Sequence, residues 1–300
     1  MKKVCIFCRK SKDETEFNDE HIFPAAIGGK YIINSVCSNC NKTLGKNIDN
    51  PFSKFKPILQ LRRKYKIGRE VKEGGQRNIG NPYSGKFLGA DGHEYYCTVD
   101  NDGNPIRNMV PKYEVFQTED DGPIGKLSLS AKDFTSEEDV IKMFAKKNNR
   151  DPREIRLGKI EKNTTPALEV IIDMPSDPLI IEALKIAYEF AMTSIPYYSE
   201  DSNSKLIGEL LISDKIAIDE INWFEQDSEV LTELSQKLYF TKQLQPYEHI
   251  AFLTSISGKG LYAVVKIFDF SLIFLKLSPR HYNKLPKEIV LFNDSISSLP

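Results

Sequence analysis

The spacing of apolar residues divides the chain into stretches of different character. In residues 52–67, FSKFKPILQLRRKYKI, apolar positions sit among lysines and arginines at helical spacing and are interrupted by Pro57. This predicts one or two short basic helices. Residues 67–86 are rich in Gly and Asn and read as a linker. From Phe87 the pattern changes to short alternating segments, among them EYYCTVDNDGNPI, where Asp102 and Gly103 predict a hairpin turn. Thr135 with Glu138 three residues on forms a capping box, so a helix is expected from about Ser136 to Asn148, followed by a strand at ALEVIIDM. Pro178 then opens LIIEALKIAYEFAMTSI, the strongest amphipathic helix pattern in the chain, and mixed helical segments continue to Tyr239. The last stretch, HIAFLTSI, SGKG and LYAVVKIFDFSLIFLKLS, reads as an antiparallel meander turning at Gly258–Gly260 and near Asp269.

This pattern predicts an α+β protein in three parts. They are a small cysteine-rich head at 1–50, a basic helical segment and linker at 51–86, and a larger mixed domain with antiparallel strands at 87–300. The apolar runs are too short for a membrane helix and are broken by Lys266 and Asp269, so no span is expected. MKKVCIFCRK lacks the continuous apolar core of a secretory signal, and a reducing cytoplasm follows as the expected setting.

Charge changes this picture. The net charge is −1 over 300 residues, but residues 1–86 hold 18 Lys and Arg against 8 Asp and Glu, while the remainder holds 23 against 34. A basic segment joined to an acidic body is the electrostatic footprint of a polyanion-binding head. Arg62, Arg63 and Lys64 are the expected phosphate contacts outside the cysteine-rich part.

Four of the five cysteines form two CxxC pairs, Cys5–Cys8 and Cys37–Cys40. Together they offer four thiolates to one tetrahedral ion with no open position, which suits structural zinc. A metal would also supply the stability that residues 1–50 cannot draw from a core of their own. Between the pairs lies EHIFPAAIGG, in which Glu20 and His21 stand together, and Asn41 follows the last cysteine directly. Hydrolysing a phosphodiester calls for a base to activate water and a hard cation on oxygen ligands to stabilise charge at phosphorus. An imidazole meets the first need near neutral pH, and a carboxylate with a carboxamide meets the second. His93, His249 and His281 are isolated and are read as satisfied or exposed side chains, not as ligands.

CxxC, then EHIFP with GG, then Asn34, then VCSNCN resembles the HNH endonucleases over residues 5 to about 50. The arrangement is similar to the zinc-bearing type found in phage junction resolvases and McrA-like nucleases. The resemblance implies a ββα-metal fold with His21 as general base and Glu20 and Asn41 holding a catalytic Mg²⁺ or Mn²⁺. It implies that Asn34 is the middle motif residue steadying the loop, and that products carry 5′-phosphate ends. Many members carry aspartate or histidine where this chain has Glu20.

The resulting expectation is a metal-dependent DNA endonuclease, with RNA also open as substrate. An acidic C-terminal domain would gate it through a protein partner or a small ligand, and two-strand cutting would call for a homodimer. HNH heads on unlike bodies resemble bacterial restriction and antiphage effectors, an analogy at the level of fold. The rival from another class is a non-catalytic zinc-ribbon scaffold that binds nucleic acid.

Overall fold

The computed structural model describes residues 1–67, 81–89, 91–118, 122–128, 136–149, 151–155, 176–216, 227–283, 285 and 288–296. The chain divides into two compact units, one made of Met1–Gly80 with Met174–Pro300 and the other of Asn81–Asp173. One border of the second unit, after Gly80, falls inside the stretch expected as a linker, while residues 1–80 and 174–300, expected as parts of separate domains, belong to one unit. The physical reason is a shared core. Phe7, Phe23, Ile27, Val36, Leu44 and Phe52 from the first stretch join one buried cluster with Leu184, Tyr188, Ala191, Leu253, Val265, Leu275 and Leu291 from the last.

The first unit begins with a short hairpin, β1 (Lys2–Val4) and β2 (Ser11–Asp13), around the first CxxC turn. A second hairpin, β3 (Phe17–His21) and β4 (Ile32–Cys37), is followed at once by α1 (Ser38–Leu44). The result is a ββα element. The chain reverses between the two strands at Gly28, which has φ of 80°, and at Gly29, where an added Cβ would lie 1.6 Å from the Phe23 carbonyl oxygen. Only a residue without a side chain fits there. A π-helical turn, Gly45–Asp49, carries α1 into α2 (Asn50–Lys54), and α3 (Lys56–Tyr65) follows with Pro57 in its first turn. The basic stretch is thus two helices, parted at Phe55 with Pro57 where a missing N–H costs nothing.

The second unit holds a three-stranded sheet of β5 (Gly85–Leu88), β6 (Glu94–Val99) and β7 (Pro105–Met109), and a hairpin of β8 (Lys112–Thr118) with β9 (Gly122–Ser128). The expected turn at Asp102–Gly103 is present. Gly103 takes φ of 90°, and the Asp100 carboxylate accepts from the N–H groups of Asp102 and Asn104. α4 (Glu137–Asn148) is capped by Ser136, whose hydroxyl accepts from the Asp139 N–H. The expected cap Thr135 and the expected strand ALEVIIDM lie outside the described residues.

Back in the first unit, α5 (Asp177–Ser194) has Pro178 in its first turn, and α6 (Ser202–Leu211) and α7 (Ser228–Lys237) follow. A four-stranded antiparallel sheet closes the unit, in the order β12 (Ser271–Ser278), β11 (Gly260–Ile267), β10 (Glu248–Ile256), β13 (Ile289–Asp294). β11 is buried at every position, because α5 and the N-terminal residues cover one face of the sheet and Val230 and Leu234 of α7 pack with Tyr262 and Val264 on the other. That explains a continuous apolar run where a one-sided strand would alternate. α5 departs from the amphipathic expectation in the same way: Glu182, Lys185 and Glu189, the polar stripe, are fully buried. Among the described residues no helix is long and apolar enough to cross a membrane.

Candidate active site

The ββα element is pinned at its sulfur end. The Sγ atoms of Cys5, Cys8, Cys37 and Cys40 all lie within 4.8 Å of one another. Cys5 and Cys8 come from the turn between β1 and β2, Cys37 closes β4, and Cys40 sits in the first turn of α1. The Cys37 N–H points at the Cys5 sulfur at 3.4 Å. A hydrogen bond from Cys40 draws the Cys5 thiol down to about 4, while the same contact pushes Cys40 up. Four sulfurs crowded so closely repel one another as thiolates unless a cation lies among them. A closed set of four soft donors fits structural zinc.

Arg9, in the same turn at φ of 58°, ties the cysteine turn to the rest of the unit. Its guanidinium donates to the Ser199 carbonyl and to the hydroxyls of Tyr188 and Ser204. Tyr188 in turn donates to the Ile6 carbonyl at 2.5 Å. The cysteine cluster is therefore anchored on α5 and α6 as well as by its own ligands.

A zinc ion on Cys37 and Cys40 would fix where α1 begins, and so where Asn41 lies. The Asn41 carboxamide donates from Nδ2 to the Asp19 carbonyl at 2.9 Å, stapling the first turn of α1 to β3 immediately before Glu20 and His21. Ser38 adds a second staple, to the Glu16 carbonyl at 2.8 Å. The half-buried His21 ends β3 opposite Ile32. His21 and Asn41 are thus brought to one ββα element. Asn34 is not part of that group: it is exposed on β4, and its side chain and carbonyl oxygens both accept from Lys3.

Glu20 points the other way, into the core. It is 4% exposed, and its Oε1 lies 2.6 Å from Nζ of Lys185 on α5. The same ammonium is 2.8 Å from Oδ1 of Asp49, 3.7 Å from Oε1 of Glu182 and 3.4 Å from the His21 carbonyl. Burial raises the Glu20 carboxyl above its ordinary range, against the pull of Lys185. Burial holds the carboxyls of Glu182 and Glu189 well above theirs. It also opposes the charge of Lys185, but the surrounding acids, Asp49 foremost, outweigh it and keep the ammonium protonated. Both oxygens of Glu182 and of Glu189 lack a hydrogen-bond partner among the described residues. Each such group costs about 1–3 kcal/mol in a buried site, so this cluster is not accounted for by stability.

For the expected divalent metal the fit is divided. Asn41 suits it in donor type, since its Nδ2 is spent on the Asp19 carbonyl and its Oδ1 is a hard oxygen donor. Glu20 does not suit it while Lys185 sits on its carboxylate. Asp49, Glu182, Lys185 and Glu189 were missed by sequence reasoning, although a signal was present: in IIEALKIAYEFA the only charges fall at i, i+3 and i+7, one narrow stripe of a helix otherwise apolar all round.

The expected phosphate contacts separate as well. Arg62 is buried, and its guanidinium donates to the Ser53 carbonyl at 3.0 Å. Burial lowers its pKa, and it braces α2 against α3 and does not face solvent. Arg63 is half-buried and Lys64 exposed on the outer side of α3.

Against known families, residues 5–56 match the HNH endonucleases. These residues are an HNH endonuclease domain carrying a four-cysteine cluster. No curated protein and no solved structure matches the chain.

Proposed function

We propose, from the HNH endonuclease domain at residues 5–56, that this protein hydrolyses phosphodiester bonds of DNA, with His21 as the general base. The observation that carries this reading is the staple from Asn41 to the Asp19 carbonyl, which holds the carboxamide beside the strand end that presents His21. His21 takes the proton of the attacking water. The zinc cluster fixes α1, and α1 fixes Asn41. A divalent ion, when bound through Asn41 and a Glu20 released by Lys185, supplies positive charge to the phosphoryl oxygens. Arg63 and Lys64, on α3 just beyond the matched residues, are the backbone phosphate contacts this reading calls for.

The reading extends to biology only by analogy of architecture: an HNH head joined to an acidic body fits a restriction or antiphage effector whose body restrains the head until a partner or ligand arrives, with a homodimer for two-strand cutting. The rival non-catalytic zinc scaffold is favoured by one observation, the ion-paired burial of Glu20. One assay separates them. Purified protein is incubated with plasmid and with single-stranded RNA in Mg²⁺ or Mn²⁺, with and without EDTA, beside His21→Ala. The nuclease reading expects cutting that EDTA abolishes and His21→Ala lowers at least a hundredfold. Salt-dependent binding with no cleavage of either polymer supports the scaffold, and equal cutting by His21→Ala removes the general-base role.

A further inference from the structure

The group of charges where α5 meets the ββα element has more acid than an ion pair uses. One ammonium pairs with three carboxyls, Glu20 from β3, Asp49 from the π-helical turn after α1 and Glu182 from α5, and Glu189 stands one turn further along α5, four residues from Lys185. Glu182 and Glu189 are completely buried, and none of their four oxygens finds a hydrogen-bond donor among the described residues. The Lys185 Nζ lies within 4 Å of three carboxylate oxygens and one backbone carbonyl. An all-oxygen surround of carboxylates and a carbonyl is the donor set of a hard divalent cation and not of a soft one.

A lysine kept only to balance Glu20 would need one acid. Asp49 follows from the course of the chain, since it ends the π-helical turn that continues α1 beyond Asn41. Glu182 and Glu189 do not follow from packing, for apolar residues of the same length would fill α5's buried stripe without unsatisfied oxygens. Their presence in an otherwise apolar helix marks a place built for positive charge.

We propose that Glu20, Asp49, Glu182 and Glu189 form a binding site for one hard divalent cation, Mg²⁺ or Mn²⁺, and that Lys185 is its tethered competitor, occupying the ion's place. The site is distinct from the four-cysteine cluster, and two of its four carboxyls, with the competing lysine, come from α5, outside the HNH domain. It shares Glu20 with the proposed nuclease centre but does not rest on cleavage. Where both hold, α5 decides whether Glu20 is available to metal.

The test uses the full chain with zinc in place and Mn²⁺ as the probe, with free Mn²⁺ followed by electron paramagnetic resonance and zinc content measured in parallel. Lys185→Met should bind one more Mn²⁺ than the wild type saturates at the same concentration, with at least tenfold tighter affinity. Adding Glu182→Gln and Glu189→Gln to that variant should weaken the new binding at least tenfold. If Lys185→Met fails to fold, Glu182→Gln with Glu189→Gln on the wild-type lysine gives the answer, because the weak Mn²⁺ binding of the wild type should fall while zinc content and unfolding midpoint hold. Unchanged Mn²⁺ binding in a folded Lys185→Met, or in a folded double glutamine variant, overturns the proposal. A chain that gains Mn²⁺ in Lys185→Met yet cuts no nucleic acid keeps this site and loses the nuclease reading. A chain that cuts with Mn²⁺ binding unchanged does the reverse.

Discussion

His249 shows what a single side chain contributes to joining the two ends of this chain. It is fully buried on β10, accepts the Phe268 N–H at Nδ1, and meets the Ile27 carbonyl and the Ser295 hydroxyl at Nε2. Accepting at Nδ1 leaves the proton on Nε2, so the ring is neutral, and burial takes its pKa down to about 3. Unfolded, the same ring takes a proton near pH 6.5. The unfolded chain therefore binds the additional proton between those values, and His249 should cost stability as pH falls from 6.5 towards 3, by about 1.4 kcal/mol per unit. Urea unfolding at pH 7, 6, 5 and 4 checks this: His249→Gln should be less stable at pH 7 and lose this part of the acid slope, and parallel slopes would refute it. None of this was legible beforehand. A histidine without neighbouring ligand residues reads as isolated, and its partners Ile27, Phe268 and Ser295 are scattered along the sequence. Arg62 was more accessible, because it stands four residues after Ile58 and shares its buried face.

At the scale of elements, the ββα unit depends on two different kinds of fastening. The sulfurs set where α1 starts, and the Asn41 carboxamide sets how its first turn meets β3. Removing one should not imitate removing the other. Cys37→Ser should lose zinc and lower the unfolding midpoint by several degrees, whereas Asn41→Ala should keep one zinc per chain, lose about 0.5–1.5 kcal/mol for one hydrogen bond, and cut no substrate. Zinc content by atomic absorption beside the plasmid assay tests this, and equal zinc loss in both variants would count against two separate roles. The two CxxC pairs, the basic helices parted near Pro57 and the β10–β12 meander were all readable because local chemistry dictates them. β13 was not, since IVLFND is a short apolar run whose strand character comes from pairing with the open edge of β10. α5 was read as amphipathic, and the burial of its polar stripe was not legible without its tertiary partners.

For the molecule as a whole, the sign change near residue 86 lies close to the border after Gly80, but the basic N-terminal residues do not make a unit of their own. The basic N-terminal residues and the acidic C-terminal ones share one core, so the head's buried apolar residues belong to a cluster that residues beyond 174 complete. A fragment of residues 1–86 should therefore stay poorly structured even with zinc. Amide proton dispersion in a zinc-loaded fragment measures this, and a spectrum as spread as that of the same residues in the full chain would contradict the shared core.

That shared core also orders events while the chain is being made. Phe23 and Val36 emerge from the ribosome early, but Leu275 and Leu291, which complete their surroundings, are synthesised more than two hundred residues later. At about 5–20 residues per second that interval is on the order of ten seconds or longer. A nascent or prematurely terminated chain would carry the motif without the fold that arms it.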